Sequence, residues 1–282
     1  PLRLAEGNIS YTMSTMPKPS AKAKATKRKD PTPLAAADLY CLLTGFGPFG
    51  SAKSNPSELV TLSFPDIFKT GDAKTDASSK KGPVAKQIHI SKLSLDTVGA
   101  TAWKTLKKSL KKLEKDLEEA GKAGPVIVLM TGLASGSRAL HLERFGMNLR
   151  DYRIADQAGA QVEDKPVQAE GPDLLRTSLK LTAVKKSLID AGYPCQISNH
   201  AGTFVCNELY YQVLYHLSRH RAVKACLFVH MPELKDFAEA TAALKRKQTA
   251  RQAAAARTET ARLALLRDAM LKVLEEVAKQ VH

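Results

Sequence analysis

The chain has 282 residues, of which 44% are hydrophobic and 25% charged, so it is long enough to fold around one substantial core. No run reaches the roughly 18 apolar residues of a membrane-spanning helix, which argues against a membrane protein. The four cysteines show neither a CxxC pair nor a metal-ligand spacing. This predicts free thiols, no metal site and no cofactor.

The net charge of +15 raises the question of nucleic-acid binding. Lysine and arginine are concentrated in residues 1–37, 104–115 and 245–251. No aromatic residues are interleaved with them as a base-stacking platform would require, so solvated surfaces are favoured over a nucleic-acid site. Residues 1–37 are rich in Lys, Ala, Ser and Pro without a period, which predicts a disordered basic tail. This tail has no secretion-signal pattern, which favours a cytoplasmic protein.

From residue 38 to 282, strand and helix patterns alternate. An apolar strand over 40–44 ends in the glycine-rich turn of residues 45–50, and an Asn-Pro pair opens a short helix over 55–62. Residues 72–86, rich in Lys, Ser, Asp and Ala, predict a surface insertion. The later elements are strands over 87–95, 125–131, 195–199 and 225–230, a strand or ribbon over 145–153, helices over 97–120, 174–191 and 207–220, and an Ala-rich terminal helix over 240–282.

This alternation predicts one domain, a three-layer α/β/α sandwich around a mixed, largely parallel, twisted sheet. Three segments follow predicted strands: the turn of residues 45–50, the loop after 195–199, and His230. Sites in open α/β sheets assemble at the carboxyl ends of the strands. We therefore expect the three segments to line one cleft.

Cys206 is the cysteine with the most suggestive surroundings. It follows a Gly-Thr turn and an apolar pair, at the start of the predicted helix. Backbone N–H groups at a helix N-terminus favour the thiolate, which is the reactive form. His230 ends an apolar strand and could act as a base, while Glu143 could orient its imidazole. Taken singly, each of these residues is more often structural than catalytic.

Four motifs occur in order: LTGFGPFG (43–50), LERFGMNLRDYRIAD (142–156), AGTFVCN (201–207) and FVHMPEL (228–234). Together they resemble pyroglutamyl peptidase type I, a family of cytosolic cysteine peptidases that remove pyroglutamate from peptide N-termini. The resemblance implies the same activity here, on N-terminally pyroglutamylated peptides and through an acyl-enzyme. The nucleophile, base and orienting carboxylate would be, in that order, Cys206, His230 and Glu143.

The resemblance also implies a pocket for the five-membered lactam ring. Arg153 and Asp156 are retained and would order the cleft. Leu133 is a departure, because many family members carry glutamine there, and a polar substrate contact is then missing. The residues that match the family's pocket walls are Phe46, Phe49, Ile154, Phe204 and Val205.

Two alternatives stay open at this point. One is a binding or interaction protein of the same fold that lacks turnover, motivated by Leu133, the insertion and the terminal helix. The other is nucleic-acid association through the basic tail, which is compatible with catalysis. The sequence leaves open whether the chain forms a homo-oligomer.

Overall fold

A seven-stranded mixed sheet is the centre of the computed structural model, which describes residues 37–71, 86–122, 124–217, 222–244 and 258–281. The predictions for the basic tail and the surface insertion fall almost entirely outside these residues. The strand order is β2-β3-β1-β4-β9-β5-β8, and β6 and β7 form a separate two-stranded ribbon. The strands are β1 Leu39–Phe46, β2 Ile67–Lys69, β3 Gln87–Leu95, β4 Val126–Leu133, β5 Leu140–Glu143, β6 Phe145–Met147, β7 Leu174–Arg176, β8 Cys195–Ser198 and β9 Val223–Met231.

The sheet is mixed in direction and mostly parallel. Strands β3, β1, β4 and β9 run parallel to one another, whereas β2 pairs antiparallel with β3. Strand β5 is antiparallel to β9 and parallel to β8. Strands β1 and β4 are buried over almost their whole length, as expected for strands covered on both faces.

Helices cover both faces of the sheet, which confirms the predicted three-layer fold. Side chains alternate along β1: Leu39, Cys41 and Leu43 pack in one apolar layer, Tyr40 and Leu42 in the other. Helices α1, α3, α5 and α6 cover the first layer, and α2 and α4 cover the second. The helices are α1 Pro56–Ser63, α2 Gly99–Glu119, α3 Leu181–Asp190, α4 Val205–Leu217, α5 Leu234–Leu244 and α6 Glu259–Ala278.

Helix α1 begins where the Asn-Pro pair predicts. The side chain of Asn55 accepts a hydrogen bond from the backbone N–H of Ser57 at 3.0 Å, and Pro56 occupies the first helical position. The Asn55 amide also donates to the carbonyl oxygen of Gly47 at 3.1 Å. The cap therefore fixes the glycine-rich turn as well as the helix.

One expectation from the sequence is wrong, and another is met by a different route. Residues 174–176 form strand β7 instead of the first turn of a helix, because they pair with β6, and α3 begins only at Leu181. The loop after β8 does not leave the sheet at the edge where His230 lies, because β8 runs antiparallel to β9. The chain returns to that neighbourhood through residues 199–204 and α4.

The terminal region predicted as one helix over 240–282 contains the end of α5 and all of α6, with residues 245–257 outside the described part. Within the described ranges, no helix combines the length and apolar character needed to cross a membrane.

Candidate active site

Cys206 is the second residue of α4, which follows a turn containing Gly202 at φ +76°. It is partly exposed, whereas Cys41, Cys195 and Cys226 are buried. Burial raises the pKa of Cys41 and of Cys195 to about 12, so both remain protonated thiols. Burial likewise raises the pKa of Cys226. Of the four cysteines, Cys206 alone combines access to solvent with a helix N-terminus.

His230 lies near the end of β9 and contacts a buried carboxylate. Its Nδ1 donates a hydrogen bond to Oε1 of Glu143, on β5, at 2.8 Å. His230 is 9% exposed and Glu143 is 1% exposed, so solvent screens this pair weakly. The ring of Phe228 packs at 4.8 Å from the imidazole, measured between centroids. The two strands and this aromatic neighbour fix the imidazole in place.

The imidazole of His230 also interacts with the sulfur of Cys206. Burial alone lowers the pKa of His230, but the hydrogen bonds and charges of Cys206 and Glu143 outweigh it and raise the pKa to about 10. The arrangement therefore favours an imidazolium between a sulfur and a carboxylate. The structure brings together all three residues that the sequence suggests for catalysis.

The strand next to β9 leaves room for the sulfur. A Cβ atom at Gly132, near the end of β4, would lie 3.1 Å from Sγ of Cys206 and 3.0 Å from Cζ of Phe228. Leu133 follows, partly buried, and pairs in register with Met231. Glycine at position 132 thus lets the sulfur pack directly against the sheet.

Two residues of α4 that sequence reasoning assigned no role fix the helix to the segment 143–149, which begins with Glu143. The buried side chain of Asn207 binds the backbone N–H and carbonyl of Met147 at 2.8 and 2.9 Å, and the carbonyl of Leu149 at 2.9 Å. The hydroxyl of Tyr210 donates to the carbonyl oxygen of Glu143 at 3.0 Å. In the sequence, the position of Asn207 beside Cys206 in the AGTFVCN motif could have indicated its role. No sequence feature pointed to Tyr210.

The residues expected to form the pocket walls differ in exposure. Phe49 and Phe204 are partly exposed, with ring centroids 5.7 Å apart. Phe46 and Val205 are 2% and 0% exposed, so their side chains belong to the core beneath the site. Ile154 is 40% exposed. Phe49, Phe204 and Ile154 are therefore the side chains that a ligand could touch without rearrangement.

The two residues expected to order the cleft also differ. Asp156 is buried and accepts hydrogen bonds from the backbone N–H groups of Gly99, Ala158 and Ala160 at 2.9–3.0 Å. It thereby joins its own loop to the start of α2. Arg153 is exposed, and no hydrogen bond or ion pair involves it within the described ranges.

A further contact, between Tyr152 and Glu208, escaped the sequence reasoning. The hydroxyl of Tyr152 donates a hydrogen bond to Oε2 of Glu208, on the same turn of α4 as Cys206. The two residues are 56 positions apart, so no local pattern connects them.

As for metals, no group of three or more His, Cys, Asp or Glu side chains with metal-binding geometry occurs among the residues that the structure describes.

Comparisons with known proteins point to one family. The pyroglutamyl peptidase family model matches residues 39–249. A pyrrolidone-carboxylate peptidase from Vibrio vulnificus is 39% identical over 201 residues, covering 71% of this chain and 81% of the relative. A pyrrolidone-carboxylate peptidase from Bacillus thuringiensis is 34% identical over 195 residues, or 69% and 79% of the two chains.

Comparison with solved structures points to the same family. The pyrrolidone carboxyl peptidase of Pyrococcus furiosus superposes with a TM-score of 0.64 at 25% identity, covering 86% of this chain and 99% of that one. Bacillus amyloliquefaciens pyroglutamyl peptidase I gives a TM-score of 0.53 at 30% identity, covering 68% and 81%. The family match spans most of the chain, and the relatives share both sequence and fold with it. The chain therefore belongs to the pyroglutamyl peptidase family.

Proposed function

We propose that this enzyme hydrolyses the amide bond that follows an N-terminal pyroglutamate, with Cys206 as nucleophile, His230 as proton shuttle and Glu143 as the orienting carboxylate. The observation that carries the proposal is the position of the His230 imidazole, which is hydrogen-bonded to Glu143 and interacts with the Cys206 sulfur. A partly exposed thiol at a helix start meets the geometric requirement for an activated nucleophile.

The reaction begins with the proton of the Cys206 thiol on His230. The thiolate attacks the pyroglutamyl carbonyl carbon, and the resulting oxyanion accepts hydrogen bonds from backbone N–H groups at the start of α4. His230 then gives its proton to the leaving amine as the C–N bond breaks. A thioester to Cys206 remains, and a peptide with a free N-terminus departs.

Water completes the cycle. His230, now neutral, takes a proton from a water molecule, whose oxygen attacks the thioester carbonyl. The C–S bond breaks, the sulfur regains a proton, and pyroglutamate leaves. Because Nδ1 of His230 donates to Glu143, the other ring nitrogen is left to exchange the proton with the sulfur. The negative charge of Glu143 stabilises the imidazolium that both steps require.

The lactam ring of the substrate is neutral, with apolar faces and one amide edge. Phe49 and Phe204 offer partly exposed aromatic faces for it, and Ile154 offers a further apolar contact. Phe46 and Val205 support these walls from the core. In this proposal Asp156 orders the adjoining loop, and Arg153 is left to contact the cleft or the peptide.

A fluorogenic pyroglutamyl amide tests the proposal directly. We expect the wild type to release the fluorophore, and iodoacetamide to abolish the release. Cys206→Ala and His230→Ala should lower kcat/KM by about 10⁴-fold or more. The matched control is Cys195→Ala, which removes a buried thiol elsewhere and should retain activity. Cleavage that survives Cys206→Ala would remove the mechanism.

A second candidate is a protein of the same fold that binds pyroglutamyl peptides without turning them over. Leu133 favours it, because this partly buried residue is apolar where the family resemblance implies a polar substrate contact. Tight binding of a pyroglutamyl peptide with no fluorophore release would support this candidate. Ordinary turnover by the wild type would end it.

A further inference from the structure

A buried hydrogen bond near Cys206 has no part in the chemistry described above. Glu208 is 7% exposed and Tyr152 is 3% exposed. The Tyr152 hydroxyl donates to Oε2 of Glu208, while Nη1 of Arg150 lies 3.9 Å from Oε1. A buried carboxylate is costly unless it is paired and hydrogen-bonded, so these two partners keep it in place.

The Tyr152 hydroxyl is a permanent donor. Burial and then the hydrogen bond and charge of Glu208 raise the pKa of Tyr152 above its ordinary value. The proton therefore stays on the tyrosine across the neutral and moderately alkaline range. The start of α2 closes the contact, because a Cβ at Gly99 would collide with this hydroxyl and lie 2.8 Å from Oε2 of Glu208.

The contact reaches the proposed lactam wall by two routes. The ring of Tyr152 packs edge-on against Phe204, with centroids 4.7 Å apart and an angle of 69°. The backbone N–H of Glu208 donates to the carbonyl oxygen of Phe204 at 3.1 Å. Phe204 in turn faces Phe49 at 5.7 Å. The ring of Tyr152 thus packs on the side chain of this wall residue, and the backbone of Glu208 binds its carbonyl oxygen.

We propose that Tyr152 and Glu208 are positioning residues, which set the affinity for the lactam ring by holding Phe204 in place without touching substrate. This inference rests on the proposed function, because Phe204 is taken as a wall of the pyroglutamyl site. It assigns substrate recognition to a contact that lies behind the aromatic wall. The reacting triad has a separate set of anchors, namely Asn207 and Tyr210.

The test compares Tyr152→Phe, which keeps the ring and removes the hydroxyl, with wild type. We expect KM for the fluorogenic amide to rise about three- to tenfold, as for the loss of one buried hydrogen bond, while kcat stays within about twofold. The Kd of 2-pyrrolidone, measured by NMR titration, should rise by the same factor, because this probe is the lactam ring alone. Glu208→Gln, which retains an acceptor oxygen, should give a smaller change in the same direction.

Tyr211→Phe is the matched control. Its hydroxyl, also on α4, donates to the carbonyl oxygen of Pro172 at 2.6 Å, and the described contacts of its ring do not include Phe204. It should leave KM and the 2-pyrrolidone Kd unchanged. A rise in KM for Tyr211→Phe equal to that for Tyr152→Phe would overturn the inference, since any loosening of α4 would then suffice.

A double-mutant cycle separates positioning from general weakening. If Tyr152 acts through Phe204, then Tyr152→Phe should have little further effect in a Phe204→Leu background. Full additivity, an unchanged KM in Tyr152→Phe, or a fall in kcat alone would each overturn the inference. A wild type that binds 2-pyrrolidone without cleaving the amide would refute the proposed hydrolysis, and the Kd arm would still decide the positioning role.

Discussion

Two buried carboxylates lie near Cys206, and the structure holds them in different ways. Glu143 uses Oε1 to accept from His230, while its Oε2 has no hydrogen-bond partner among the described residues. Glu208 uses both oxygens, one with Tyr152 and one with Arg150. A carboxylate without a fixed cation can stabilise a positive charge that arises on its neighbour, whereas one already paired mainly holds geometry.

The two side chains that contact these carboxylates, His230 and Tyr152, differ in how readily they lose a proton. Despite burial, Cys206 and Glu143 raise the pKa of His230 to about 10, so its proton can be removed at an alkaline pH that experiments can reach. Burial and Glu208 raise the pKa of Tyr152 above its ordinary value, so its proton does not move. The first pair is suited to proton transfer and the second to positioning, although both are buried carboxylates beside a ring.

Replacing Glu143 tests the proposed role of the carboxylate that contacts His230. We expect Glu143→Gln to lower kcat/KM by about 10²–10⁴-fold, less than Cys206→Ala, because the carboxylate orients and stabilises without reacting. Loss of the negative charge also removes one cause of the raised His230 pKa. The alkaline limb of the rate profile, where the imidazolium is lost, should therefore move to lower pH.

The control for this shift is Glu208→Gln, which makes the same chemical change at the other carboxylate. It should leave the alkaline limb where it is in the wild type, because Glu208 is not among the groups that raise the pKa of His230. Equal shifts in the two variants would contradict the division of roles. A Glu143→Gln variant as inactive as Cys206→Ala would contradict the orienting role.

Adding one methyl group at Gly132 tests how closely the sulfur of Cys206 must be held. The new Cβ of Gly132→Ala would lie 3.1 Å from Sγ of Cys206, closer than ordinary packing allows, so the sulfur or Phe228 must shift. We expect kcat to fall about tenfold, since small misplacements of a reacting group are costly, while KM changes much less. The rate of alkylation by iodoacetamide would report the displaced thiol independently. Unchanged kcat would mean that the sulfur tolerates movement.

Features set by short stretches of sequence were predictable. Apolar runs predicted the central strands, and the Asn-Pro pair predicted the start of α1. The family resemblance and the fold class are confirmed by the comparisons. The assignment of Cys206, His230 and Glu143 rested on the order of motifs along the chain, and the three side chains do meet in the structure.

Features set by distant pairing were not predictable. Residues 174–176 look helical in isolation, and only their pairing with β6 makes them a strand. The direction of β8 depends on its parallel partner β5, which the segment itself does not encode. The Tyr152–Glu208 contact joins positions 56 apart, and spacing cannot reveal it. The sequence thus suggested the three side chains that meet at the candidate site, whereas the residues that hold them emerged from packing.

The smallest expected effects separate Asp156 from Arg153, the two residues predicted to order the cleft. Asp156→Ala leaves three backbone donors without their acceptor and should lower the free energy of unfolding by about 1–3 kcal/mol. Arg153→Ala removes an exposed side chain and should change it by less than about 0.5 kcal/mol. Urea unfolding monitored by circular dichroism measures both. If Arg153→Ala is instead the more destabilising variant, the exposed arginine orders the loop. If Arg153→Ala raises KM and leaves the free energy of unfolding unchanged, Arg153 acts on the substrate and only Asp156 has a structural role.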